Sequence, residues 1–226
     1  MKRSEVNRLI IEAKAFFERQ QFKLPAWANW GLSDWRGKRE SCGEIIDNML
    51  GWDITDFGSG RFNQRGLVLF TIRNGNLRHP DSRKVYAEKI MIVREGQETP
   101  FHFHWKKMED VINRGGGNLV MEIYGSTPAE EYSSEPFAVR IDGIQRQLKA
   151  GARIVLGPGE SICLEPGVYH RFYGEPGSGL VLVGEVSQVN DDARDNRFYE
   201  RVGRFPAIEA DEPPLHLLAS DYAMYL

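Results

Sequence analysis

Hydrophobic and polar residues follow two different periods along this chain. Near the N-terminus, apolar residues recur at intervals of three or four positions: Val6, Leu9, Ile10, Ala13, Phe16 and Phe17. This spacing predicts an amphipathic helix that has Ser4 as its N-cap and ends before Pro25. Apolar residues between positions 42 and 49 predict a second, short helix that Gly51 terminates.

After residue 66 the pattern changes to short apolar runs separated by turn residues. Asn74 followed by Gly75, and Asp142 followed by Gly143, are typical of tight turns between antiparallel strands. About nine short strands and no long helix are predicted, at residues 67–72, 85–93, 118–124, 138–141, 144–148, 153–156, 161–164, 170–173 and 180–186. We therefore expect an all-β sandwich or barrel.

The chain is expected to form one domain over residues 1–226. Residues 1–60 would be an N-terminal helical extension packed outside the barrel, and residues 66–187 the barrel itself. Residues 188–226 would be a tail that packs on the barrel or on a second subunit. The charged run at residues 189–196 is expected to be a solvated rim.

Composition narrows the classes of partner and compartment. The 29 basic and 32 acidic residues give a net charge of -3, which favours neither nucleic acid nor an anionic membrane as a partner. No stretch approaches the roughly 20 apolar residues of a membrane span. The two cysteines, Cys42 and Cys163, lie far apart in apolar surroundings, so we expect free thiols and a cytoplasmic location.

Two of the five histidines lie close together, in the segment GQETPFHFHWKKMEDVINRGG at residues 96–116. If residues 100–105 form a strand, its period of two places His102 and His104 on one face, where both can bind one metal ion. Glu109 offers a carboxylate to the same site. His170 is the candidate fourth ligand, because it follows a turn fixed by Pro166 and Gly167.

Three neutral imidazoles and one carboxylate suit a divalent first-row ion, with Mn, Fe, Co, Ni and Zn all chemically possible. Such an ion would keep about two open positions for neighbouring oxygens of a substrate. His79 and His216 have no comparable setting and are not favoured as ligands.

Five residues in this segment are spaced like those of the first motif of the cupin superfamily. They are Gly96, His102, His104, Glu109 and Gly116. The segment around His170 resembles the second motif but departs from it twice. Its proline lies four residues before the histidine instead of five, and Gly174 occupies a position where the general pattern has Asn. The resemblance implies a cupin double-stranded β-helix, also called a jelly-roll barrel.

A narrower resemblance, to the cupin-type D-lyxose isomerase family, runs over nearly the whole chain. It is carried by YAEK at residues 86–89, HFHWKKMEDVINRGGG at residues 102–117 and GEVS at residues 184–187, followed by Asn190 and Asp191. It implies a manganese-dependent, homodimeric aldose-ketose isomerase acting on D-lyxose and D-xylulose, with activity on D-mannose and D-fructose. It also implies the metal ligands His102, His104, Glu109 and His170.

Three further residues are candidates for catalysis. Glu185 shares a strand face with Val181 and Val183, so burial is expected to raise its pKa and make it the base, unless the strand end is exposed. Lys89 lies among apolar neighbours and is a candidate for stabilising an enediolate, with extension into solvent as the alternative. Lys107 is a weaker third candidate, because a lysine in a loop is usually solvated.

The reaction expected from these residues is proton transfer through a cis-enediol, with a metal-assisted hydride shift as the rival. A metal-dependent cupin dioxygenase and a non-catalytic carbohydrate-binding cupin remain alternatives, although charged groups in the cavity favour sugar isomerisation. A phosphorylated sugar also remains open, since Arg94 and Arg171 are available to bind a phosphate.

Overall fold

The structure, a computed structural model, describes residues 1–79, 83–203 and 206–226. Within them lie four α-helices: α1 (Arg3–Arg19), α2 (Leu32–Trp35), α3 (Gly43–Asp47) and α4 (Tyr222–Tyr225). Short 3₁₀ helices occupy Ala26–Asn29 and Ala219–Asp221. Among these residues, every helix is too short or too polar to cross a lipid bilayer.

Thirteen strands account for most of the remaining regular structure in the described residues. They are β1 (Gly51–Thr55), β2 (Leu67–Arg73), β3 (Tyr86–Val93), β4 (His102–Phe103), β5 (Glu109–Gly116), β6 (Leu119–Gly125), β7 (Phe137–Ile141), β8 (Ile144–Leu148), β9 (Ala152–Leu156), β10 (Ser161–Leu164), β11 (Val168–Gly174), β12 (Val181–Gln188) and β13 (Arg197–Phe198).

The strands form two antiparallel sheets, in agreement with the short apolar runs and turn residues of the sequence. The larger sheet has the order β1-β2-β3-β12-β5-β10-β7-β8, and the smaller has the order β13-β4-β11-β6-β9. Asp142 and Gly143 join β7 to β8 with positive φ angles of 50° and 76°, which confirms the tight hairpin predicted there. Two strands, β1 and β13, lie outside residues 66–187 and extend the two sheets.

Two apolar cores hold these layers in place. One lies between the sheets and includes Met91, Val111, Met121, Phe172 and Val183. The other lies between α1 and the outer face of the larger sheet, where the predicted apolar stripe of the helix packs on side chains from β1, β2 and β3. The inner face of the larger sheet carries part of the first core. The same face bears Lys89 and Glu185, so the site forms there.

Helix boundaries differ from expectation at two points. Helix α1 begins at Arg3, so Ser4 is inside the helix and its hydroxyl donates to Asp211 instead of capping. Helix α3 ends at Asp47, well before Gly51, because Met49 adopts a positive φ of 55° and Leu50 turns back to hydrogen-bond Ile45. Gly51 instead begins β1, a five-residue strand that the sequence analysis does not predict.

Candidate metal centre and active site

Three histidines meet where the smaller sheet faces the larger one. His102 lies in β4 and is the direct register partner of His170 in β11, and His104 follows β4 by one residue. The ring centroids of His102 and His170 are 4.2 Å apart, and that of His104 is 5.3 Å and 5.7 Å from them. Their candidate ligand atoms lie within 4.8 Å of one another, so this group can hold a metal ion.

Each of these imidazoles has its Nδ1 atom against a backbone carbonyl. The distances are 2.9 Å from His102 to Pro100, 2.8 Å from His104 to Asp195 and 3.0 Å from His170 to Val168. Because a carbonyl oxygen can only accept, each Nδ1 must carry the hydrogen. In the neutral ring the Nε2 lone pair is then free for a metal, as in most metal-binding histidines.

Glu109, the first residue of β5, faces two of these nitrogens. Its carboxylate oxygens lie 3.1 Å from His170 Nε2 and 3.4 Å from His104 Nε2. Burial raises the pKa of Glu109, but the charge of the adjacent Lys107 ammonium lowers it, and this pKa lies well below its usual range. An ionised carboxylate and converging imidazole lone pairs repel one another unless a cation lies between them, so the residues present fit a divalent ion.

Two glycines explain how the second motif places His170. Gly167 has a positive φ of 81°, and its amide donates to the carbonyl of His104, which ties the turn before β11 to the first motif. At Gly174, where the general pattern has Asn, a Cβ atom would lie 2.8 Å from the carbonyl oxygen of Arg94. The backbone of residues 94–95 passes too close for a side chain, which accounts for the departure.

Lys107 is buried, contrary to the expectation of a solvated loop lysine. Its side chain is 2% exposed, and its Nζ lies 2.7 Å from Glu109 and 2.9 Å from Glu185. Burial lowers the pKa of Lys107, but the Glu109 and Glu185 carboxylates outweigh it and raise the pKa above its usual value. Lys107 is therefore a fixed ammonium group beside the histidines.

Glu185 is buried as expected, but the predicted direction of its pKa shift is wrong. Burial does raise the pKa, yet Lys107 and Lys89 outweigh it, so the pKa of Glu185 is lowered. Lys89 Nζ lies 3.2 Å from Glu185 Oε1, with its side chain 8% exposed, so it points inward and does not extend into solvent. The sequence shows the apolar face of each strand but not that two lysines converge there.

Part of residues 189–196, expected to be a solvated rim, instead forms one wall of the site, with Asp192 and Asn196 lining it. The side-chain oxygen of Asn190 accepts from Lys89 at 2.7 Å and from Lys107 at 3.2 Å. Asp192 lies 3.9 Å from Lys89. Sequence reasoning missed both roles, although Asn190 belongs to the segment that carries the family resemblance.

All seven candidate residues line one cavity of about 70 Å³: His102, His104, Glu109, His170, Lys89, Lys107 and Glu185. Apolar and aromatic side chains, including Phe172 and Phe198, form much of its remaining wall. Arg94 and Arg171, considered for a phosphate, do not line it. Arg94 pairs with Glu12, and Arg171 pairs with Glu98 and Glu122.

Comparison with solved structures shows which fold this protein has. L-ribose isomerase from Cellulomonas parahominis with L-ribose aligns over 92% of this chain and 98% of its own, with a TM-score of 0.60 and 15% sequence identity. L-ribose isomerase from Acinetobacter sp. DL28 in complex with L-ribose aligns over the same shares, with a TM-score of 0.54 and 15% identity. The fold is the cupin fold that the two motifs predict.

Sequence comparison is more specific. A family model described as D-lyxose isomerase matches residues 1–222. The D-lyxose/D-mannose isomerases of Serratia proteamaculans and Escherichia coli O157:H7 are 47% and 45% identical to this chain, and each comparison covers 100% of both chains. The protein is thus an aldose-ketose isomerase. The chain belongs to the D-lyxose isomerase family.

Proposed function

We propose that this protein interconverts D-lyxose with D-xylulose, and D-mannose with D-fructose, with the help of a divalent metal ion. His102, His104, Glu109 and His170 would hold that ion, and Glu185, Lys89 and Lys107 would act on the sugar. The observation that carries the proposal is that four buried charged side chains extend from the histidine group across one cavity. The names of the two similar curated proteins support the choice of sugars.

A bound divalent ion would supply positive charge that polarises the carbonyl and hydroxyl oxygens of the open-chain sugar. Glu185 is held ionised by the two lysines, so it can accept the proton from C2 of the aldose and return it to C1. Both ammonium contacts fall on Oε1 of Glu185, which leaves Oε2 to take the proton. Lys89 and Lys107 provide fixed positive charge for the enediolate oxygens.

The same geometry favours an isomerase over the alternatives. An oxygenase pocket needs few charged groups beside its ligands, whereas this cavity contains two lysines and Glu185 in addition to Glu109. An unphosphorylated sugar is favoured because the two arginines considered for a phosphate pair with glutamates outside the cavity. A binding protein without catalysis would have no use for a buried carboxylate held ionised beside the histidines.

Isomerisation of D-lyxose in deuterated water tests the chemistry. Under single-turnover conditions we expect deuterium at C1 of the D-xylulose formed, because the proton on Glu185 exchanges with solvent. Glu185→Gln should abolish turnover and leave bound metal near the wild-type level. Glu18→Gln, which changes an exposed glutamate on α1, is the matched control and should retain full activity. A product without deuterium would favour a hydride shift, and an active Glu185→Gln variant would remove Glu185 from the mechanism.

We also propose that Mn²⁺ is the preferred ion and that the protein is a cytoplasmic homodimer, as the family resemblance implies. The donor set accepts several first-row ions, so the metal must be identified by restoring activity to chelated protein with each ion in turn. Higher activity with another ion than with Mn²⁺ would contradict the first point. A light-scattering mass equal to one chain would contradict the second.

A further inference from the structure

Asp195 contacts both His104, one of the three histidines, and the backbone of Lys107. Its carboxylate accepts hydrogen bonds from the backbone amides of Lys106 and Lys107, each at 2.9 Å. Its backbone carbonyl accepts from His104 Nδ1 at 2.8 Å. The residue is 9% exposed, so these contacts are shielded from solvent. Asp195 therefore contacts the side chain of His104 and the backbone of Lys107.

These contacts have specific consequences for His104 and Lys107. The carbonyl of Asp195 requires the hydrogen of His104 to be on Nδ1, which leaves Nε2 available to a metal. The carboxylate fixes the backbone of Lys107, whose ammonium group must reach Glu109, Glu185 and Asn190. A carboxylate suits this position because both of its oxygens accept, whereas an amide side chain has only one accepting oxygen.

The wall that carries Asp195 is also fixed at its other end. The backbone amide of Asn190 donates to the side chain of Asn74 at 3.0 Å, and Asn74 Nδ2 donates back to the Asn190 carbonyl at 2.9 Å. Asn74 is buried, and its own carbonyl accepts from Asn48 at the end of α3. Asp195 is therefore held on a segment anchored at both ends, as positioning a ligand requires.

We propose that Asp195 is a positioning residue that sets His104 for metal binding and Lys107 for contact with the two glutamates. The inference rests on the proposed function, since it concerns the same site. It gives a role to a residue that neither touches the sugar nor binds the ion.

Chelator competition on the Co²⁺-loaded full-length chain tests this role. Asp195→Ala should weaken Co²⁺ binding about 10- to 100-fold, the usual cost of removing a group that orients a metal ligand. Asp195→Asn keeps one accepting oxygen and should lie between Asp195→Ala and wild type. We expect kcat to fall in both variants while KM for D-lyxose stays near the wild-type value.

Asp191→Asn is the matched control. It makes the same charge change in the same segment, and the Asp191 carboxylate accepts no hydrogen bond from any residue that the structure describes. Its Co²⁺ affinity should stay within about twofold of wild type. Equal losses in Asp191→Asn and Asp195→Asn would show a general effect of charge and overturn the inference.

A second measurement does not depend on bound metal. With only five histidines in the chain, ¹⁵N-histidine spectra can report the tautomer of each ring. His104 should carry its hydrogen on Nδ1 in wild type and in Asp191→Asn. Asp195→Ala keeps the backbone carbonyl but loses the carboxylate bonds to the amides of Lys106 and Lys107 that hold it against His104, so His104 should become a mixture of tautomers. If the wild-type chain bound no Co²⁺, the metal in the proposed function would be wrong, but the tautomer of His104 would still decide the inference. An unchanged tautomer with unchanged Co²⁺ affinity would overturn it, even if the variant unfolds at a lower temperature.

Discussion

Lys107 belongs to a row of four buried side chains of alternating charge, in the order Glu109, Lys107, Glu185 and Lys89. Its ammonium group contacts Glu109 on one side and Glu185 on the other, and Lys89 closes the row 3.2 Å from Glu185. In such a place, burying each charge costs free energy that only its oppositely charged neighbours offset. The two lysines and two glutamates balance one another, so removal of any one leaves the buried row with a net charge.

Lys107→Met should lower the free energy of unfolding of chelated protein by about 3–5 kcal/mol, because it leaves a buried negative charge uncompensated. Lys107→Met combined with Glu109→Gln should recover part of this loss, since Glu109 loses the ammonium group beside it whereas Glu185 keeps Lys89. Lys106→Met is the control, because the adjacent lysine is exposed and should shift stability by no more than about 0.5 kcal/mol. Urea unfolding measures all three, and a double variant as unstable as the sum of the two single variants would contradict the coupling.

Individual site residues differ in how far the sequence reveals them. The candidate metal ligands could be placed from local spacing, because His102 and His104 share one short segment and His170 follows a recognisable turn. The charge state of Glu185 could not, because it depends on Lys107, which lies 78 positions away in sequence. Burial alone predicts a raised pKa, and only the packed structure shows that two ammonium groups reverse it.

Helix α1 supports the larger sheet from the side opposite the site. Its residue Leu9 is 1% exposed in the core formed with β1, β2 and β3, whereas Ile11 on the same helix is 56% exposed. Substitution in this core should therefore change stability without changing the cavity, which lies on the inner face of the sheet.

Leu9→Ala should lower the free energy of unfolding by about 2–5 kcal/mol, through lost burial and the cavity left behind. At a temperature where the variant is folded, its kcat and KM should match those of wild type. Ile11→Ala removes a similar side chain from an exposed position and should cost no more than about 0.5 kcal/mol. Thermal unfolding and steady-state kinetics measure both effects. A large loss of kcat in folded Leu9→Ala protein would show that α1 contributes to the site as well as to stability.

Regular elements were predictable where burial follows a simple period. The stripe of α1 reflects one buried face, and the apolar runs of β3 and β12 reflect strands that are buried on both faces. The bounds of both strands differ from expectation by at most two residues, and α1 begins two residues before the start that an N-cap at Ser4 implies. The strand expected at residues 100–105 was too long, because only His102 and Phe103 pair in the smaller sheet. The wall at residues 189–196 was missed, since its backbone and side-chain polar groups find their partners in Asn74, Lys89, Lys106 and Lys107, which are distant in sequence.

At the scale of the whole molecule, the two ends of the chain pack together. The N-terminal amine of Met1 donates to the carbonyl of Ala207, and Arg3 forms a buried pair of hydrogen bonds with Asp221 at 2.8 and 2.9 Å. Asn7 donates to Glu212 and accepts from the amide of Leu215. The C-terminal segment is thus packed along α1.

His216 joins this segment to two other parts of the fold. Its Nδ1 donates to the carbonyl of Trp30 at 2.9 Å, and its Nε2 accepts from the Lys14 ammonium at 3.0 Å. The contact with Lys14 requires a neutral ring, because Nε2 must accept the hydrogen bond. Burial lowers the pKa of His216, and the charge of Lys14 lowers it further, while the Trp30 carbonyl and Asp34 act in the opposite direction without reversing the shift.

This lowered pKa makes stability depend on pH in a defined direction. Below about pH 6.5 the unfolded chain binds a proton at residue 216 while the folded chain does not, so the free energy of unfolding falls as the pH falls. Above that pH both states are neutral and the contribution is constant. His216→Asn cannot titrate but can still donate to Trp30. The stability advantage of wild type over His216→Asn should therefore shrink between pH 7 and 5, with a slope of at most about 1.4 kcal/mol per pH unit. Asn63→Ser, which changes an exposed side chain that does not titrate, should show no such trend. Urea unfolding at several pH values measures both differences, and a constant difference for His216→Asn would mean that protonation of His216 does not destabilise the packing of the chain ends.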